Sequence, residues 1–185
     1  MKLWLVVFSG WIILSAAVSI QAGEFSVTSP QLKPGGRLTQ DQLLNGFGCT
    51  GNNISPVLHW QNGPENTESY AVTVYDPDAP TGSGWWHWVI FNIPPEVTTL
   101  EQDAGNQQSG LAPKGSVQSQ TDFGTPGYGG ACPPQGDENH RYVFSVYALD
   151  TKRLELDQDA TAAMVGFFIQ QHAIARTQLS VVYSR

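Results

Sequence analysis

Two aspartates flank a proline in the segment Asp76-Pro77-Asp78-Ala79-Pro80. Proline fixes the backbone dihedral φ, so both carboxylates leave a rigid turn. Two histidines, His87 and His140, follow along the chain, each at the start of a run of β-branched and aromatic residues. A carboxylate beside an imidazole raises the imidazole pKa, and the imidazolium can then donate a hydrogen bond to an anionic oxygen. These residue types favour a pocket for a small anion.

A segment rich in glycine and proline, residues 128–136, lies just before His140. Backbone N–H groups of such a loop and nearby tyrosine hydroxyls supply neutral hydrogen-bond donors. Three tryptophans surround His87, at positions 85, 86 and 88. Aromatic walls exclude water and strengthen the polar contacts inside a pocket. The loop and the tryptophans are therefore expected to contribute to the anion pocket.

The same residues also allow purely structural roles. The aspartate-proline segment is compatible with a tight turn in which Asp76 accepts backbone N–H bonds. Arg141 is more often the ion-pair partner of a carboxylate than a ligand contact. His59 and His172 are expected to be structural rather than ligand-binding.

Three strongly β-prone runs carry the candidate residues. Residues 69–75, 86–93 and 141–149 are rich in β-branched and aromatic side chains, and the first run ends at Asp76. Together with weaker candidates they predict a sheet-rich sandwich. The weaker strand candidates are residues 25–28, 57–60, 115–120 and 178–183.

A single segment has convincing helical spacing. Residues 161–173 place apolar side chains on one face, and Asp157 or Asp159 is predicted as the N-cap. The helix is expected to pack on the sheet.

Composition limits the protein class. The chain has 185 residues, of which only 14% are charged, against roughly 25% in average soluble domains. It contains 19 glycines and 12 prolines, so a helical bundle is improbable on composition. The net charge of -7 argues against a nucleic-acid partner, because binding by counterion release needs a basic face.

The N-terminus has the layout of an export signal. A positive start at Lys2 precedes an apolar stretch, residues 3–13, and then several small residues. We expect residues 1–22 to be a signal peptide, residues 23–185 to form a single domain, and the protein to be periplasmic. An uncleaved membrane anchor is the alternative, although the apolar stretch is short for a span.

Two cysteines remain in the predicted mature chain, Cys49 and Cys132. An even pair in an exported chain predicts a disulfide. Two free buried thiols are the alternative.

The candidate motifs, taken in order, resemble the phosphatidylethanolamine-binding protein family in its bacterial Raf-kinase-inhibitor-like branch. The matching blocks are DPDAP, then Trp-Trp-His-Trp, then Tyr-x-Gly, Pro-Pro-x-Gly and His-Arg-Tyr. The resemblance implies a mainly β fold, a sandwich of a large and a small antiparallel sheet with a C-terminal helix. It also implies an anion pocket that accepts phosphate or a phosphoryl head group.

By motif position, the resemblance implies a ligand-binding set to which each block contributes. In this set His87 is the main contact, oriented and charged by Asp76, while His140 and Tyr142 donate and Pro80 and Trp85 form walls. The full set is Asp76, Asp78, Pro80, Trp85, His87, Cys132, His140 and Tyr142.

Three functions remain open at this stage. The first is binding of a small anion without turnover or cofactor, by a monomer or homodimer. The second is a secreted protein-interaction or inhibitor module in which the pocket docks a protein target. The third is a metal-dependent phosphoesterase, because histidines and aspartates can bind metal or run acid–base chemistry. No hydrolase or nucleotide-binding motif occurs, so binding is preferred.

Overall fold

We describe residues 23–185 of the protein from a computed structural model. The predicted signal peptide, residues 1–22, lies outside the described residues. Within the described part, no helix is long and apolar enough to cross a membrane. The strands in chain order are β1 (Ser26–Thr28), β2 (Asn45–Gly46), β3 (Cys49–Thr50), β4 (Leu58–Gln61), β5 (Ser69–Asp76), β6 (Trp85–Ile93), β7 (Thr99–Leu100), β8 (Val117–Gln118), β9 (His140–Leu149) and β10 (Ala173–Tyr183). The helix α1 (Ala162–His172) lies between β9 and β10.

Two antiparallel sheets form a sandwich. The larger sheet has the strand order β10-β9-β5-β6-β8, and the smaller has the order β1-β4-β7. The apolar cluster between them includes Leu58 and Trp60 of the smaller sheet and Trp88 and Phe144 of the larger. The predicted β-sandwich is confirmed, although the predicted strand at 115–120 forms only the two-residue edge strand β8.

The three strands that the sequence marks most strongly, β5, β6 and β9, lie side by side in the middle of the larger sheet. Most of their residues are buried. The smaller sheet covers one face, and α1 covers the other, where Val165 and Ile169 pack in one cluster with Phe91 and Leu149. Burial on both faces explains why these strands are apolar almost throughout instead of alternating strictly with polar residues.

Thr161 is the N-cap of α1, because its Oγ1 accepts a hydrogen bond from the backbone N–H of Met164 at 3.3 Å. The prediction of Asp157 or Asp159 as N-cap is wrong. Asp157 Oδ1 instead accepts a bond from the N–H of Asp159 and stabilises the turn before the helix. The last strand begins directly after the helix, at Ala173, earlier than the sequence pattern indicates.

Strand pairing brings the candidate residues to one end of the larger sheet. β5 is antiparallel to both neighbours, so its last residues lie beside the first residues of β6 and β9. Asp76 pairs with Trp85 of β6, and Tyr75 pairs with Val143 of β9. The aspartate-proline segment therefore leaves the sheet at the end where both histidine-bearing strands begin.

Cys49 and Cys132 form a disulfide, 83 residues apart in sequence. The predicted bridge is confirmed, and the alternative of two free thiols is wrong. The bridge joins the β2–β3 hairpin to the glycine- and proline-rich segment before β9. By the chain-entropy account, closing a loop of this length stabilises the fold by up to about 4–5 kcal/mol.

Candidate functional site

A cavity of about 210 Å³ opens at the end of the larger sheet where β5 ends and β6 and β9 begin. Seven of the eight residues predicted from the sequence line it. They are Asp76, Pro80, Trp85, His87, Cys132, His140 and Tyr142. Residues far apart in sequence are thus brought to one concave site by the antiparallel pairing of three strands.

The eighth predicted residue, Asp78, does not line the cavity. Its carboxylate is bound by Arg141: Oδ2 accepts bonds from the backbone N–H at 2.9 Å and from Nε at 2.8 Å, and Oδ1 accepts one from Nη2 at 2.7 Å. These bonds lower the pKa of Asp78 to about 2. The forked contact joins the turn after β5 to the start of β9, as expected for a structural Arg141.

Asp76 holds His140 rather than His87. Its Oδ2 accepts a hydrogen bond from Nδ1 of His140 at 2.8 Å, and its Oδ1 accepts one from the N–H of Asp78 at 2.8 Å. Both side chains are almost fully buried. Contrary to the prediction, Asp76 therefore does not orient His87 by a hydrogen bond, since both of its oxygens are bonded elsewhere.

His87 is positioned by a backbone carbonyl. Its Nδ1 lies 2.7 Å from the carbonyl oxygen of Gly129, and a carbonyl oxygen only accepts, so Nδ1 carries the proton. Burial lowers the pKa of His87, against the opposing influences of the Gly129 bond and the Asp76 charge. Without a ligand, burial thus favours the neutral ring over the predicted imidazolium, and the neutral ring leaves Nε2 as a hydrogen-bond acceptor.

Five buried side-chain polar atoms have no partner among residues 23–185, and the two that belong to cavity-lining residues are hydrogen-bond donors. They are the hydroxyl of Tyr142 and Nε1 of Trp85, and both atoms are buried. Burial raises the pKa of Tyr142, so its hydroxyl keeps its proton. Buried polar atoms are nearly always hydrogen-bonded in native proteins, so these two donors are able to pair with a ligand, whereas the other three, Gln42 Nε2, Trp60 Nε1 and Ser119 Oγ, belong to residues outside the cavity lining.

His140 carries a second charged contact. Its Nε2 lies 3.4 Å from Oδ2 of Asp137, whose side chain is partly exposed. The ring thus stands between two carboxylates, the buried one of Asp76 and the outer one of Asp137. An anion approaching Nε2 of His140 would compete with Asp137 for this position.

Two aromatic residues of the cavity, Phe47 and Phe123, were not predicted from the sequence. Phe123 makes edge contacts with the rings of Trp85 and His87, at centroid distances of 5.3 and 5.4 Å. A side chain on Gly129 would lie 2.2 Å from the Phe123 ring, so only glycine permits this packing. The sequence offers one indication that Phe47 belongs to the cavity: it lies two residues before Cys49, which bonds to Cys132 in the predicted pocket loop. The other lining residues, Ala79, Thr81, Pro133 and Pro134, belong to or adjoin segments that the sequence marks.

The fold and the site together define a member of a known family. The family model described as phosphatidylethanolamine-binding protein matches residues 28–184. The chain therefore belongs to the phosphatidylethanolamine-binding protein family, as the motif resemblance predicts.

Among its relatives are two proteins of Escherichia coli K12. The chain is 50% identical to the UPF0098 protein YbcL over 165 residues, covering 89% of this chain and 90% of YbcL. It is 48% identical to the UPF0098 protein YbhB over 158 residues, covering 84% and 98%. The crystal structure of YbcL, described as a new member of the mammalian family, superimposes with a TM-score of 0.87 over 88% of this chain and 99% of that one. A Chlamydia trachomatis homologue, CT736, is 28% identical with a TM-score of 0.72, covering 87% and 97%.

The lowered pKa of His87 predicts an acid-sensitive fold. His87 binds a proton more tightly in the unfolded state than in the folded state. The contribution of neutral His87 to the free energy of unfolding is therefore complete above the unfolded pKa of about 6.5 and is lost as the pH falls. The free energy of unfolding should drop by up to about 1.4 kcal/mol per pH unit on this account. His87→Asn keeps an amide N–H for Gly129 but cannot titrate, so its pH slope should be shallower. Urea unfolding between pH 4.5 and 7.5 measures both slopes.

The control for this experiment is His59→Asn, which changes an exposed histidine on β4. Its pH slope should match that of the unchanged protein. Parallel curves for His87→Asn and the unchanged protein would contradict the assignment of a neutral, buried His87.

Proposed function

We propose that the protein binds a small oxyanion, phosphate or a phosphoryl head group, in this cavity without turning it over. The two buried donors without a protein partner, Tyr142 Oη and Trp85 Nε1, carry the proposal. An unpaired buried donor costs about 1–3 kcal/mol, which a ligand oxygen would recover. Acceptor oxygens of a phosphoryl group match both donors.

The acceptor at His87 further restricts the ligand. Neutral His87 offers Nε2 as an acceptor, and the nearby Asp76 carboxylate makes a highly charged anion unfavourable. A phosphoryl group that retains one proton supplies a P–OH donor for Nε2 and carries less charge than the dianion. The site therefore favours the monoprotonated form, in which some oxygens accept and one donates.

Family membership supports the phosphoryl class of ligand. The family model takes its name from phosphatidylethanolamine, whose head group contains a phosphodiester, so the name supports a phosphate group in the ligand but not the monoester form in particular. That name describes binding rather than a reaction, consistent with a site that holds a ligand without turnover.

Nothing specific favours the other two functions considered from the sequence. Within residues 23–185, no group of three or more histidine, cysteine, aspartate or glutamate side chains is arranged to hold a metal ion. The metal-dependent phosphoesterase therefore lacks a supporting donor set in that part of the chain. No surface feature at the cavity singles out a protein target.

Removal of the Tyr142 hydroxyl tests the binding site. Tyr142→Phe deletes one of the two unpartnered donors but keeps the buried ring, so affinity for phosphate should fall at least about tenfold, as for a hydrogen bond to a charged group. Isothermal titration calorimetry with inorganic phosphate at pH 6.5 measures the change. Tyr147→Phe is the matched control, because Tyr147 lies on the same strand but packs in the cluster on the helix side. The proposal fails if the unchanged protein binds no phosphate, or if both variants lose affinity equally.

Sulfate tests the requirement for a ligand proton. Sulfate has nearly the same shape as phosphate but offers only acceptors, so Nε2 of His87 would stay unpaired in its complex. Sulfate should bind at least about tenfold more weakly than phosphate at pH 6, because a site built to pair a ligand hydroxyl rejects analogues that lack one. The preference should shrink in His87→Ala and persist in His59→Ala. Equal affinity for the two anions in the unchanged protein would refute the acceptor role of His87.

We also propose that residues 1–22 are removed on export and that the mature protein is periplasmic. The disulfide supports this, because disulfides persist in oxidising compartments. Intact-mass measurement on protein from the periplasm of a Gram-negative host should give a chain beginning near Gly23. Recovery of only the full-length chain, with reduced cysteines, in the cytoplasm would contradict export.

A further inference from the structure

The β2–β3 hairpin presents an aromatic ring at the mouth of the cavity. Gly46 pairs with Cys49, so Phe47 and Gly48 form a two-residue turn. Their φ angles are 51° and 81°, both in the left-handed region, as in the type I′ turns of short hairpins. Gly48 adopts this conformation at no steric cost, whereas Phe47 does so against a steric penalty.

Phenylalanine is an unexpected residue at this position. The first central residue of such a turn is normally Asn, Asp or Gly. The other non-glycine residues with positive φ within residues 23–185 follow that preference: Asn53, Asn62, Asn92 and Asp103. The ring of Phe47 also remains 72% exposed, so little burial compensates for its backbone conformation. Local strain of this kind clusters at ligand-binding positions.

The exposed ring begins an aromatic surface that continues into the cavity. Phe47 stacks on Phe123 with a centroid distance of 5.9 Å and an interplanar angle of 25°. Phe123 in turn contacts Trp85 and His87 edge to face. Both phenylalanines line the cavity, so apolar surface extends from the solvent to the imidazole at the proposed anion site.

The pair is held in place from both sides. Cys49, two residues after Phe47, is bonded to Cys132, which itself lines the cavity. The absence of a side chain on Gly129 leaves the space that the Phe123 ring occupies. The aromatic pair is therefore preorganised, which reduces the entropy lost when a ligand binds.

We propose that Phe47 and Phe123 bind a flat, apolar organic group carried by the anion, so that the ligand class is an aromatic or similarly apolar phosphomonoester. The inference rests on the proposed function, since the phosphoryl group must occupy the cavity interior. An ammonium substituent fits less well. The only carboxylate in the cavity lining is that of Asp76, and both of its oxygens are already hydrogen-bonded inside the protein, while the outer carboxylate of Asp137 already lies 3.4 Å from Nε2 of His140.

The test compares three probes by titration calorimetry at pH 5, where the phosphoryl group of each is mostly singly charged: inorganic phosphate, phenyl phosphate and O-phosphoethanolamine. The unchanged protein should bind phenyl phosphate about three- to tenfold more tightly than phosphate, the range expected for aromatic stacking. O-Phosphoethanolamine should bind no more tightly than phosphate. In Phe47→Asn the ratio for phenyl phosphate should fall toward one, because asparagine suits the positive φ but supplies no ring.

Phe167→Asn is the matched control, because Phe167 is also an exposed phenylalanine, 61% accessible, but lies on α1 and does not line the cavity. It should keep the preference for phenyl phosphate. The melting temperature of Phe47→Asn should be no lower than that of the unchanged protein. A clear decrease would show that the ring serves to stabilise the fold and would overturn the inference.

The remaining outcomes separate the two proposals. Phosphate binding without a preference for phenyl phosphate, a preference that survives in Phe47→Asn, or a stronger preference for O-phosphoethanolamine would each overturn the aromatic subsite alone. Absence of binding by all three probes would refute the proposed function and the subsite together.

Discussion

The hydrogen bond between Asp76 and His140 is the constraint on which the site depends. It joins the last residue of β5 to the first residue of β9, while the second oxygen of Asp76 fixes the turn that follows β5. Because both oxygens of the carboxylate are used in this way, Asp76 makes no hydrogen bond to His87 and acts on that ring only through its charge. Burial then keeps His87 neutral, and the cavity presents an acceptor where a cation was predicted. Under the proposed function, the bonding of Asp76 to His140 and not to His87 thus favours a ligand that keeps a proton.

Gly129 positions both His87 and Phe123. Its carbonyl oxygen accepts the bond from His87 Nδ1, and its N–H donates to the carbonyl oxygen of His87 at 2.8 Å. Its lack of a side chain admits the Phe123 ring. The next residue, Gly130, donates to Oδ1 of Asn53 at 2.7 Å, and the disulfide fixes the loop shortly afterwards. The histidine, the aromatic wall and the loop are consequently positioned by the same short stretch of backbone, before any ligand is present.

The sequence predicts the strands and the turn of this molecule better than it predicts which side chains bond to each other. The three central strands are predicted correctly because burial on both faces requires long β-branched and aromatic runs. The aspartate-proline turn is predicted correctly because proline acts locally. Which histidine Asp76 binds depends instead on the approach of β9, which residue type does not encode. For the same reason, the sequence does not predict that Asp78 pairs with Arg141. Nor does it predict that a hairpin places Phe47 at the cavity. The N-cap of α1 was mispredicted because Asp157, Asp159 and Thr161 lie within five positions and are all residue types that cap helices, so that only the backbone path selects Thr161.

The proposed anion site lies in an acidic chain, so its favourable interactions with a ligand need a local source. The net charge of -7 gives an anion no long-range attraction, so binding must rely on local donors. The unpartnered donors of Tyr142 and Trp85 are neutral, and the buried Asp76 carboxylate opposes a second negative charge. A phosphomonoester has its second pKa near 6, so keeping its last proton at pH 7 costs only about 1.4 kcal/mol. One hydrogen bond from that proton to Nε2 of His87 is enough to offset this cost. A phosphodiester has no such proton to offer, which makes the monoester the better match to a cavity built with a neutral histidine.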